Sequence, residues 1–182
     1  MICTYFPTRV FLDSSIIQTL HVYGEFIFEN AEVKEDDPIF LDSKGIEKLE
    51  CLRKIMQCMQ RTPFEFALST NSIKEALRKN DPGYMPWVYE LIDYWLINYE
   101  RSKNKKYCKN KMSILMSNSF NYLSSGDREL IIDAVNLDCD SFLTMENKLP
   151  RNSHHLEHKL LIRVLTPITF WENFRTYADL YK

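Results

Sequence analysis

Four short apolar runs, each released into residues that start a helix, constrain this chain more than any other feature of its 182 residues. Arg9-Val10-Phe11-Leu12 gives way to Asp13-Ser14-Ser15, and Phe64-Glu65-Phe66-Ala67-Leu68 to Ser69-Thr70-Asn71. Phe142-Leu143 runs into Thr144, and Leu161-Ile162-Arg163-Val164-Leu165 into Thr166-Pro167. Apolar runs this short read as strands buried on both faces. Helical spacing fills the intervals, most clearly in the stripe Ile46, Leu49, Leu52, Ile55, Met56 and Met59. Buried strands alternating with amphipathic helices imply right-handed crossovers and a parallel sheet. The expected fold is therefore α/β: three layers, α/β/α, around a short, mostly parallel central sheet. No repeat and no low-complexity linker interrupts residues 1–182, which read as a single domain.

Local signals place the helices. Asp13 or Ser14 is the expected cap of a helix from Ser15 to about Tyr23. Glu29 to Asp37 reads as an acidic loop closed by Pro38, and Asp42-Ser43 as the cap of the helix that ends near Met59. Thr70 or Asn71 should cap the helix that carries Glu75, and Asp81-Pro82-Gly83 is a turn signal. Pro86 fits the first turn of a helix through Trp87, Leu91, Tyr94 and Trp95. Further helices are expected from about Ser113 to Leu123, from Ser125-Gly126-Asp127 onward, and from Pro167 through Trp171, Phe174, Tyr177 and Leu180.

Open parallel sheets bind ligands outside the carboxyl ends of their strands. Asp13, Glu75 and Glu146 each follow a strand end, and Asp127 stands in the first turn of a helix 19 residues before Glu146. A single acid in such a place reads as a helix cap or a solvated charge. Four at corresponding ends repel one another and are costly to group without cations. Mg2+ or Mn2+ suits them, since both take oxygen ligands and retain waters. Such an ion lowers the pKa of a bound water and neutralises charge on a phosphate under attack. No His or Cys stands at these strand ends.

Net charge is −2, so the total says nothing of the partner, but its distribution is uneven. Six of the eleven residues from Arg101 to Lys111 are basic. Lys103, Lys105 and Lys106 suit a nucleic-acid backbone, with Tyr107 placed to stack on a base; a solvated face fits the same run equally well. His154-His155-Leu156-Glu157-His158 contains the spacing of a zinc peptidase, but surface histidines are the simpler reading. Cys3, Cys51, Cys58, Cys108 and Cys139 form no paired motif, which points to a reducing compartment. The apolar stretch from Met85 to Tyr99 holds Glu90 and Asp93 and is too short to span a bilayer. A cytoplasmic protein without a membrane partner is expected.

Val10 through Ser15, Ser69 through Leu77, Asp127 through Val135 and Cys139 through Glu146 together resemble the PIN-domain family of metal-dependent nucleases. Arg163-Val164-Leu165-Thr166-Pro167 with Phe170 is similar to that family's last strand and closing helix. The resemblance implies a PIN-like domain and a Mg2+- or Mn2+-dependent endoribonuclease acting on RNA. It implies a catalytic and metal-binding quartet of Asp13, Glu75, Asp127 and Glu146, with Ser15 and Thr144 as supporting hydroxyls. Glu146 stands where Asp is usual. The family includes toxins of toxin–antitoxin pairs, which implies an antitoxin as partner, and free-standing relatives; a homo-oligomer fits both. The alternative is a PIN-like interaction module, catalytically weak or inactive.

Overall fold

The computed structural model describes residues 6–59, 61–78, 83–94, 113–117, 120–151 and 153–178. In chain order the elements are β1 (Arg9–Leu12), α1 (Ser14–Val22), α2 (Gly24–Glu29), a 3-10 turn (Pro38–Leu41), α3 (Gly45–Met59), β2 (Glu65–Ala67), α4 (Thr70–Ala76) and α5 (Tyr84–Tyr94). After them come α6 (Ser125–Asn136), β3 (Ser141–Leu143), α7 (Lys148–Arg151), α8 (His154–Leu160), β4 (Arg163–Leu165) and α9 (Pro167–Ala178). The strands form one four-stranded sheet in the order β2-β1-β3-β4, and every pairing is parallel. β1 and β3 occupy the centre, with Leu12 opposite Leu143.

Strand side chains alternate between faces, and each face has its own core. Val10, Leu12, Phe66 and Leu143 join Ile16, Ile17 and Leu20 of α1, Leu52 and Ile55 of α3, and Phe170 and Phe174 of α9. Phe11, Ala67, Phe142 and Val164 join Leu130, Ile131, Ala134 and Val135 of α6 and Leu156 and Leu160 of α8. Helices thus cover both faces, giving the expected three layers. Phe11 stacks on Phe142 across the two central strands, ring centroids 5.2 Å apart. Among the described residues no helix is long and apolar enough to cross a membrane.

Several boundaries differ from expectation, for local reasons. α4 is capped by Ser69, not by Thr70 or Asn71: the Ser69 hydroxyl accepts from the Ser72 amide, and Ser72 returns the bond in a capping box. α6 opens at Ser125 as expected, and Ser124 caps it in the same kind of box, with Asp127 as partner. Where polar residues cluster, any of them can cap, and packing selects one. Gly24–Glu29 adds a helix that was not expected, closed by Asn30 in the left-handed region. His154–Leu160 adds another helix that was not expected, and Leu161, at φ 58°, ends it and delays β4 to Arg163. Of the stretch expected as a helix from Ser113 to Leu123, residues 113–115 are helical among the described residues, and Phe120 and Leu123 are buried in the second core. Gly45 opens α3 beneath the 3-10 turn, and a Cβ there would run into the Ile39 carbonyl. The basic run from Arg101 to Lys111, with Lys103, Lys105 and Lys106, lies outside the described residues.

Phe11 is fully buried between β1, β3 and the second core. Phe11→Ala is expected to cost about 3–5 kcal/mol through lost transfer energy and the cavity left behind. Urea denaturation measures this, and a loss below about 1 kcal/mol would contradict the packing.

Candidate functional site

The site grows from the carboxyl ends of β1 and β3. The Asp13 amide donates to the Leu143 carbonyl at 3.1 Å, which keeps the residue in the sheet ladder. Its own carbonyl accepts from the amides of Ile16 and Ile17, so Asp13 is also the N-cap of α1. The side chain takes no part in that cap. It turns across to β3, where Oδ2 accepts from the Ser15 hydroxyl at 2.6 Å and the Thr144 hydroxyl at 2.7 Å. Those two hydroxyls also hold the following loop. The Met145 amide donates to Ser15 Oγ at 3.1 Å, and the Glu146 amide to Thr144 Oγ1 at 3.2 Å. Ser15 and Thr144 therefore link the first acid to the last, as supporting residues.

Glu75 lies in the second turn of α4, where the Ser14 hydroxyl hydrogen-bonds to it. The same hydroxyl sits 3.5 Å from Asp13 Oδ1, between the two carboxylates. Asp127 stands at the start of α6 and accepts from the Ser124 amide at 3.1 Å. Asn71 of α4 donates to Asp133 of α6 at 2.9 Å, and Ser69 also hydrogen-bonds to Asp133. The helices that carry Glu75 and Asp127 are thus tied together. Burial raises the Asp133 carboxyl above its ordinary value, against the pull of those two bonds.

The four acids act on one another. The Glu75 carboxyl is raised, first by burial and then by repulsion from Asp13 and Asp127, with Arg78 and the Ser14 bond opposing. Glu146 is raised by partial burial of its carboxylate and by Asp13, Asp127 and Glu75, with Lys148 opposing, although the residue as a whole is exposed. Asp13, Glu75, Asp127 and Glu146 therefore share one electrostatic neighbourhood. Among the described residues, however, no three His, Cys, Asp or Glu side chains lie close enough to hold one ion as they stand. The quartet's all-oxygen donor set suits Mg2+ or Mn2+. Glu75 is half-buried and Glu146 exposed.

Ser14, Lys48, Asn71 and Asp133 also belong to this neighbourhood, and sequence reasoning missed them. Asp133 had left a signal, as a lone acid inside the buried run Leu130 to Val135. Lys48 had left none, since one lysine on an amphipathic helix looks like any other. The histidine segment stands apart: His154, His155 and His158 are exposed on α8, and Glu157 accepts from Arg163 at 2.8 Å. Set against known proteins, the chain matches no family model, no curated protein and no solved structure.

A raised carboxyl binds its proton more tightly in the folded than in the unfolded chain. Protonation therefore adds stability at low pH, and this is lost as pH rises through the raised values of Glu75 and Glu146, above the ordinary 4.5. Glu75→Gln/Glu146→Gln, compared with the parent without divalent metal, is expected to melt higher at neutral pH, the gap closing as pH falls to about 4. Solvent screening at these positions limits the gap to about 2–4 °C. Thermal melts across pH test this, and an equal gap at both ends would contradict it.

Proposed function

We propose that this chain is a Mg2+- or Mn2+-dependent endoribonuclease of PIN-like fold. The observation that carries the reading is the Asp13 carboxylate, held by Ser15 and Thr144 at the ends of the two central strands, while Glu75 and Glu146 are raised by burial and then by their acidic neighbours. The order of those acids along the chain, Asp13 after β1, Glu75 in α4, Asp127 in the first turn of α6 and Glu146 after β3, is the order that the resemblance to PIN domains implies. A bound Mg2+ or Mn2+ would supply a water of lowered pKa and offset negative charge on the phosphate. Asp13, Glu75, Asp127 and Glu146 would hold it. Glu75 and Glu146, with their raised proton affinity, suit the removal of a proton from an attacking water.

RNA must approach this acidic site without being repelled by it. A cleft of about 280 Å³ opens beside Asn147, the neighbour of Glu146. Lys44 and Arg151 line it together with Thr166 and Thr169, and no carboxylate does. This supports a path for the anionic strand from the cleft to the acids. One observation favours the second reading, an interaction module that cleaves weakly or not at all: among the described residues no three of the acids stand close enough to hold one ion.

Labelled single-stranded RNA incubated with Mg2+, Mn2+ or EDTA tests the proposal. Cleavage is expected with either metal and none with EDTA. Asp13→Asn keeps an oxygen that can accept from Ser15 and Thr144, so the fold should persist while cleavage falls more than about a hundredfold, beyond the usual cost of losing a ligand's supporting group. Cleavage that survives both EDTA and Asp13→Asn would overturn the reading.

Lys44→Gln/Arg151→Gln is expected to raise KM for RNA about tenfold and leave kcat unchanged. Two lost phosphate contacts should flatten the log–log salt slope by about 1.4, at roughly 0.7 per contact on a single strand. Binding titrations across salt measure it, and an unchanged slope would remove the cleft from the RNA path.

A further inference from the structure

Lys48 is a buried charge that the proposed chemistry does not use. Its side chain is 2% exposed, in the first turn of α3. Lysine is almost never so buried unless paired. Lys48 Nζ donates to Asp42 Oδ2 at 2.6 Å and to the Met145 carbonyl at 2.7 Å. The first contact is an ion pair at the start of its own helix. The second reaches 97 residues along the chain, to the loop that leaves β3.

That loop carries Glu146. The Met145 amide is held by Ser15 Oγ, and the Met145 carbonyl by Lys48. The peptide that leads into Glu146 is fixed at its oxygen by Lys48 and at its nitrogen by the Thr144 hydroxyl. Lys148, not Lys48, is the cation that Glu146 feels directly, so Lys48 acts there through geometry rather than through charge. Asp42 keeps the ammonium in place, and its own carboxyl is lowered, first by the bond from Lys48.

We propose that Lys48 is a positioning residue of the acidic site: by holding the Met145 carbonyl, its ammonium sets Glu146 to face Asp13, Glu75 and Asp127. The role rests on the nuclease reading for its catalytic consequence, and on the loop contacts alone for its structural one. Burying an ammonium is expensive, and replacing such a pair with an apolar side chain is often neutral for stability. Stability alone gives little reason to keep a lysine here.

Lys48→Met fills the same space without the donor. Hydrogen exchange at the Glu146 amide of the full chain is expected to speed up about tenfold, while exchange in the middle of α3 stays unchanged. In RNA cleavage, the Mn2+ concentration for half-maximal rate should rise about 10–100-fold, the usual cost of losing a group that orients a metal ligand. In the Glu146→Gln background, Lys48→Met should add nothing further, because its effect runs through Glu146. Asp42→Asn, a milder change at a half-exposed side chain, should shift exchange and metal requirement the same way by less, and it serves if Lys48→Met does not fold. Unchanged exchange at Glu146, or an effect of full size in the Glu146→Gln background, would overturn the proposal. Wild-type protein that cleaves RNA with neither metal would overturn the nuclease reading instead, and the exchange measurement would still decide whether Lys48 holds the loop.

Discussion

The parallel pairing of β1 with β3 is the constraint on which the rest of this structure depends. It joins segments more than a hundred residues apart and puts Leu12 opposite Leu143. From that register follow the Phe11–Phe142 stack at the centre of one core and the Asp13 amide bond to the Leu143 carbonyl. The Asp13 carboxylate is then set beside the Thr144 hydroxyl. A slip of one residue would send every strand side chain to the wrong face. The same slip would take Asp13 away from Thr144, so core and site stand or fall on one register.

Around that pairing the chain carries an electrostatic load that folding alone does not require. Glu75, Asp133 and Glu146 are all raised, with burial the first cause each time and acidic neighbours adding to it. The strain is contained by specific polar contacts rather than by removing charge. Ser14 lies between Asp13 and Glu75, Asn71 and Ser69 satisfy Asp133, and Lys48 spans from Asp42 to the loop before Glu146. Sites that violate the rules of a comfortable core are expected where function is concentrated. The concentration of such groups at one sheet edge is what favours a site over four unrelated caps.

Much of this was legible in the residues themselves. The strands at Arg9–Leu12 and Ser141–Leu143 were marked by apolar runs ending in polar residues, and all four acids could be tied to strand ends or helix starts. Less legible were helix starts where several polar residues compete. Ser69 caps α4 in place of the expected Thr70 or Asn71, because a capping box with Ser72 forms there. The short helix α2 carried too few residues for a periodic signal.

Sequence alone determined the α/β class, because alternating apolar runs and helical stripes report burial directly, and it singled out the four acids as candidates. Only the tertiary structure decided which groups share a neighbourhood. Nothing in the order of residues says that Lys48 will reach the Met145 carbonyl, that Asp133 will be satisfied by Asn71, or that Asp13 will turn from its own helix to Thr144. These are contacts across tens to more than a hundred residues, set by the strand order β2-β1-β3-β4 and by how helices settle on the sheet. Local pattern records how deeply a residue is buried; only three-dimensional packing selects its partner.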